Sequence, residues 1–287
     1  MKQKLPIAWD LPDNSTKLRR YKRFLRDKGV RPSTIDNYVE RAGKYLQFCG
    51  DKPPSPEMAQ KYRESLLDRN LSNSSVMNYC YAVKNYHEML GQKIKVKLLK
   101  RRNEIPYFFT EHEVNRIFDQ IDNLKHLAMF KTAFYACLRA SEVTNLDVED
   151  INLENLALIV RDGKGGKTSV CYLSEEAVDI LQQYLSIRPD FEIEGRRPLF
   201  FTDYGSRFER KQLYRLVIYY KKRAGISKPG GCHVLFRHTP ASLMIKNGCD
   251  ILTIQQVMRH NHIQTTMRYL HLADSTRRAN YDRFLRL

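Results

Sequence analysis

Arginine, histidine, lysine and tyrosine recur in four short stretches of the carboxyl-terminal half of this sequence. They are Ala136–Val143, with Arg139 and Glu142; His233–Thr239, with Arg237; Met258–His260, followed nine residues on by Tyr269; and Gly163–Lys167, with Lys164 and Lys167. These residue types suit cleavage of a phosphodiester without a metal. That reaction needs a nucleophile, cations for the oxygens of a crowded phosphorane, and an acid for the leaving sugar oxygen. A guanidinium pairs with two phosphate oxygens and keeps its charge. A tyrosine, with a phenol pKa of about 10, can be the nucleophile if its proton is removed during attack. Other chemistries find no motif. The sequence has no Walker A loop, no His-Glu-x-x-His, no acidic cluster for two magnesium ions and no hydrolase elbow.

The elements that must position these residues read as mainly α, in two parts. Residues 1–14 hold two prolines and little periodicity, and read as a flexible leader. Four helices are expected over 15–91: one over Ser15–Lys28, one opening at Ser33 with Asp36 as a capping-box variant, one with Ser55 as N-cap and Pro56 next, and one opening at Ser74 or Ser75 and stopping at Gly91. Arg19, Arg20, Arg23 and Arg26 recur at helical spacing on the first. A basic linker over 92–106 follows, with Lys97, Lys100 and Arg101. The second domain, 107–287, opens with a capping box at Thr110 and Glu113. A hairpin is expected from strands at Leu156–Arg161 and Thr168–Leu173, with the Lys164 turn between them. Helices are then expected from Ser174, and around Leu213–Ala224, Arg237–Lys246 and Leu252–Met258. The fold class is therefore mainly α, with a small antiparallel sheet in the second domain.

The chain has 287 residues, with 49 Lys and Arg against 32 Asp and Glu, a net charge of +17. A chain this basic points to a polyanion, nucleic acid above all, because neutralising its dense phosphates releases counterions. The hydrophobic fraction of 42% supports packed cores. Six cysteines at wide, irregular spacings fit neither a disulfide framework nor a zinc ribbon, so a reducing cytosol is expected. No signal-peptide pattern or membrane-span-length apolar run is present.

Taken in order, the boxes resemble those of the tyrosine recombinases and phage integrases, Xer-like branch, from about residue 15 to 287. Ala136-Cys137-Leu138-Arg139-Ala140-Ser141-Glu142-Val143 resembles the first arginine box. His233-Val234-Leu235-Phe236-Arg237-His238-Thr239 resembles the second, and Met258-Arg259-His260 with Tyr269 the closing pattern. The amino-terminal segment is similar to the family's small helical core-binding domain, and the rest to its catalytic domain.

The resemblance implies site-specific recombination through a 3′-phosphotyrosine, with no cofactor, metal or ATP. Tyr269 would be the nucleophile, and Arg139 and Arg237 would hold the non-bridging oxygens. Lys164 would be the general acid, with Lys167 competing. His260 would bond the phosphate or position the nucleophile, and His233 would assist Tyr269. Glu142 would support the site, whereas His238 and His262 read as structural. Arg19, Arg23, Lys97, Lys100 and Arg101 would contact DNA, the two domains clamping the duplex. The implied partners are double-stranded DNA with inverted half-sites, a homodimer on each site and a tetrameric synapse, with the tail from Ala273 docking on a neighbour. The implied place of work is the cytoplasm.

One departure stands out: the family spaces the second box His-x-x-Arg, whereas His233 precedes Arg237 by four. Either the helix accommodates an extra residue or His233 is not the equivalent. Pro240 suggests that this helix starts late, near Phe236 or Arg237. Two rival readings are a relaxing enzyme of type IB topoisomerase chemistry and a non-catalytic DNA-binding module.

Overall fold

The computed structural model describes residues 14–95, 99, 107–161, 168–273 and 281–282. The leader to residue 13, the linker positions Lys97, Lys100 and Arg101, the turn bearing Lys164 and Lys167, and most of the tail lie outside the described residues. The chain divides into two compact units, residues 1–103 and 104–287.

The first unit is built from α1 (Asn14–Asp27), α2 (Pro32–Cys49), α3 (Pro56–Asp68) and α4 (Asn73–Met89). In α1 the four-residue spacing of Tyr21 and Leu25 buries one face, and Arg19, Arg23 and Arg26 are exposed. Helix α2 starts at Pro32, ahead of the expected Ser33, because a proline at the first helical position needs no N–H partner. Asp36 pairs with Lys22 of α1 at 3.4 Å instead of closing a capping box. Ser55 caps α3 as expected, accepting the Met58 N–H at 3.2 Å. For α4 the cap is Ser72, not Ser74 or Ser75. Asn70 turns left-handed, Ser72 lies extended, and its Oγ accepts the Ser75 N–H at 3.2 Å. The core stacks Tyr21, Tyr45, Tyr62 and Tyr86 among Leu25, Leu46, Leu66, Val76 and Val83. Its polar tips are bonded: Tyr21 Oη donates to Ala82 O at 2.7 Å, and His87 sits between Tyr45 Oη (2.9 Å) and Gln92 Oε1 (2.6 Å).

The second unit opens with α5 (Glu111–Asp119), α6 (Leu124–Tyr135) and the short α7 (Ala140–Thr144). The Thr110–Glu113 capping box on α5 forms in both directions. Strands β1 (Ile151–Asn152), β2 (Ala157–Val160) and β3 (Ser169–Tyr172) make an antiparallel sheet in the order β1-β2-β3, with Leu158 opposite Cys171. Strand β1 was not expected; two residues are too few to show an alternation. Helices α8 (Glu175–Ile187), α9 (Arg210–Arg223), α10 (Thr239–Lys246), α11 (Ile251–Val257) and α12 (Ile263–Met267) complete the unit. Its main core is centred on Phe130 of α6, which meets Phe236 edge-on at 5.4 Å. A smaller cluster of Cys137, Ala241, Ile245, Ile254, Met258 and Tyr269 lies apart from it.

Candidate active site

Two helix ends build the centre of the site. After α6, Cys137 takes φ 50°; its N–H bonds Phe134 O at 3.1 Å and the Leu138 N–H returns to Ala133 O at 2.9 Å. After α11, Arg259 takes φ 51°; its N–H bonds Gln256 O at 2.9 Å and the His260 N–H returns to Gln255 O at 3.0 Å. Both are Schellman closures with a side chain where glycine is favoured. Each such left-handed residue costs about 1 kcal/mol, which the surrounding contacts must offset.

Arg237 joins the two ends. Its Nη1 donates to Cys137 O at 2.5 Å and its Nη2 to Met258 O at 2.6 Å, with the residue 1% exposed. Carbonyls at helix carboxyl ends lack intrahelical donors and carry partial negative charge, so a buried cation is held there. Burial, then the charges of Arg139 and Arg259, push the Arg237 pKa down to about 10, which leaves it charged near neutral pH. Arg139 Nη2 lies 3.5 Å from Arg259 O. The two guanidinium groups therefore end on consecutive carbonyls, those of residues 258 and 259, in the turn that leads to His260.

Glu142 ties the arginines together. As third residue of α7 it accepts the Arg139 N–H at 2.8 Å and Arg139 Nη1 at 2.6 Å. Its Oε2 also accepts Arg259 Nη2 at 2.6 Å. Burial works to raise the Glu142 pKa, but Arg259 and Arg139 outweigh it and hold the carboxylate below its usual range. Arg139, Glu142, Arg259, Gln255, His260 and Ser169 line an open cleft of about 470 Å³. His260 Nδ1 lies 2.9 Å from Thr266 Oγ1. Burial and the charges of Arg237 and Arg139 push the His260 pKa down to about 4.

The second box departs from the expected late helix start. Residues 232 and 233 are already helical, and Val234–His238 form a π-helical turn closed by the Thr239 N–H on Val234 O. Pro240 has no N–H to give Phe236 O, and its ring would crowd that carbonyl in an α-turn, so the helix widens there. A π-turn has about 4.4 residues per turn, so four residues sweep the angle of about 3.3 in an α-helix. The extra residue between His233 and Arg237 is absorbed this way. Leu235 and Phe236 anchor the turn in the main core.

His233 was expected to assist Tyr269, and that contact is not formed. His238 stands there instead, with Nδ1 2.5 Å from Tyr269 Oη. His233 packs edge-on against His238 at 4.3 Å, on the solvent side. The π-turn is the cause, since it rotates His238, read from sequence as structural, toward α12. Burial, then the charges of His233, Arg268 and Arg237, push the His238 pKa down to about 3, so the ring is neutral and one nitrogen is free to accept a hydrogen bond. Tyr269 is 1% exposed, and burial pushes its phenol up to about 12 against the pull of Arg268 and Arg237.

The Phage integrase family model matches residues 107–276, well over half of the chain. The chain belongs to that family. Among curated relatives, this integrase-family chain is 34% identical over 195 residues to tyrosine recombinase XerA of Pyrococcus horikoshii, across 66% of each sequence. It is 34% identical over 160 residues to tyrosine recombinase XerC 2 of Ralstonia nicotianae, across 55% of this chain and 46% of the relative. The chain thus spans between about half and two thirds of the length of these curated relatives. The crystal structure of XerA recombinase matches with a TM-score of 0.57 and 28% identity, over 96% of this chain and 100% of that one. The fold is that of the tyrosine recombinases, mainly helical with a small antiparallel sheet.

Among the sequence-predicted residues of this integrase-family chain, Arg139, Glu142, Arg237 and His260 are brought together. Tyr269 is close enough for its phenol to feel the Arg237 charge, yet it does not line the cleft. The sequence reading missed Arg259 and did not place His238 beside Tyr269. The four-residue offset followed by Pro240 was the available sign of the widened turn. For Arg259 the sign was a non-glycine residue between a helix end and His260.

Proposed function

We propose that the protein is a site-specific DNA recombinase that breaks and rejoins strands through a covalent link to Tyr269. The observation that carries this reading is the convergence of Arg139 and Arg237 on consecutive carbonyls beside His260, with the Tyr269 phenol bonded to a neutral histidine. Arg139 and Arg237 exchange carbonyl contacts for the non-bridging oxygens of one phosphate. His260, with Nδ1 accepting from Thr266, offers Nε2–H to the same phosphate. Tyr269 Oη attacks phosphorus and its proton passes to His238. The bond from phosphorus to the 5′-oxygen breaks, and that oxygen leaves as a hydroxyl protonated by Lys164, as the family resemblance implies. The reverse steps reseal the strand, since the phosphotyrosine keeps the bond energy. Guanidinium groups supply the positive charge, so neither metal nor ATP enters. Tyr269 must leave its buried seat first, and DNA binding drives that step.

DNA is the partner. The exposed Arg19, Arg23 and Arg26 and the linker residues Lys97, Lys100 and Arg101 contact phosphates, and the second unit offers its own basic residues, Arg210, Lys211 and Arg215, exposed on α9. The first unit serves as the core-binding domain and the second as the catalytic domain. Two copies bind inverted half-sites and four form the synapse, with the tail docking on a neighbour. The solved XerH complexes with difH substrate, 18% identical, share the fold. Among the described residues no helix is long and apolar enough to cross a membrane, and all six cysteines are free thiols. We place the enzyme in the cytoplasm on the second observation.

The test is a suicide substrate, nicked so that cleavage cannot reverse, built from DNA that the protein traps in its own cells. A denaturation-resistant adduct that forms in EDTA and is absent in Tyr269→Phe supports the proposal. Binding without an adduct leaves a non-catalytic module, and an adduct that survives Tyr269→Phe names another nucleophile.

A further inference from the structure

Arg259 is partly buried and held in the left-handed region, where a non-glycine residue is strained, and the mechanism above does not use it. Its contacts reach every fixed piece of the site. Nη2 meets Glu142 at 2.6 Å, Nη1 meets Cys171 Sγ at 2.7 Å and Ala136 O at 3.2 Å, and its own carbonyl lies 3.5 Å from Arg139 Nη2. Cys171 is in β3, the strand that leaves the turn bearing Lys164. One side chain therefore links the first arginine box, the lysine-bearing hairpin and the residue before His260.

We infer that Arg259 is a positioning residue of the strand-transfer site, acting through Glu142 on Arg139 and through Cys171 on the hairpin. Glu142 carries one negative charge among three guanidinium groups. With Arg259 on one carboxylate oxygen, Arg139 is held through the other and its remaining N–H groups face the cleft. Without Arg259, the whole carboxylate turns to Arg139 and competes with the phosphate for it. Strand β3 also loses its tie at Cys171. The strained backbone is retained because only a long, forked cation spans these partners.

This inference rests on the recombinase reading. Its test compares the full-length wild type, Arg259→Gly, Arg259→Lys and Tyr269→Phe on one suicide substrate at saturating DNA. Glycine fits φ 51° without strain, so Arg259→Gly removes the guanidinium and spares the turn. It is expected to lower the single-turnover cleavage rate by about 10- to 100-fold while DNA affinity stays within about 3-fold. Its acid limb should shift to higher pH, because Glu142 loses a cation that holds it ionised. Arg259→Lys should recover part of the rate, through the Glu142 contact alone. Wild-type cleavage by Arg259→Gly overturns the inference, as does a loss that only tracks affinity with the acid limb unmoved. A wild type that makes no Tyr269-dependent adduct overturns the recombinase reading itself, and this inference with it.

Discussion

Among the described residues of the first unit, His87 is the buried polar side chain, bonded on both ring nitrogens, while the arginines of α1 stand in solvent. The second unit buries Arg237 and Glu142 and packs Arg259, His238 and His260, two histidines with depressed pKa values, around them. Exposed ion pairs such as Lys22–Asp36 contribute at most about 1 kcal/mol. Removing Arg259 from the largely buried Arg259–Glu142 pair costs more, up to about 3 kcal/mol, because the Glu142 charge stays desolvated. One unit therefore resembles a structural core with a charged surface. The other maintains a concentration of positive charge that folding alone would not select.

That contrast is broken most severely at Arg237. Arg237→Ala should reduce cleavage by about 1,000-fold. It should also lower stability by about 3 kcal/mol in urea titration, since two buried carbonyls lose their donor. Wild-type cleavage by this variant would remove the second unit's claim to chemistry. Next in size is the choice between histidines. His238→Ala should slow single-turnover cleavage by about 100-fold, whereas His233→Ala should stay within about 5-fold. The reverse order would restore the sequence-based assignment.

Acid separates the units more gently. The folded pKa values of His238 and His260, about 3 and 4, lie below the unfolded value of about 6.5. Above pH 6.5 neither state binds the proton, so stability is full. As pH falls from about 6.5 to 4 the unfolded chain takes up protons that the folded one refuses, and stability is lost. Hydrogen exchange, corrected for intrinsic rates, should show residues 232–269 losing protection before α1–α4 do. Uniform loss would contradict the contrast. The smallest effect is expected at the surface of α1. Replacing Arg19 and Arg23 with alanine should weaken DNA binding and reduce its salt slope by about two, leaving the cleavage rate at saturating DNA unchanged.

Much of this was legible before coordinates. The Ser55 and Thr110 caps and the β2–β3 pairing follow from local chemistry written in neighbouring residues. So do the arginine boxes, because their residue types have few other reasons to occur in that order. The widened turn at Val234–His238 was not legible, since it arises from two features that conflict: an extra residue and a proline without a donor. Nor was the inward turn of Arg259, which depends on a carboxylate 117 positions earlier in the chain and a thiol 88 positions earlier. Contacts between segments so distant leave no periodic trace in one sequence.

The most direct test of the central claim is to digest the trapped protein–DNA adduct and map its linkage by mass spectrometry. The account predicts a single modified peptide, with the 3′-phosphate of the cut strand on Tyr269 and a free 5′-hydroxyl on the released end. A 5′-phosphate link, or a modified residue other than Tyr269, would contradict it.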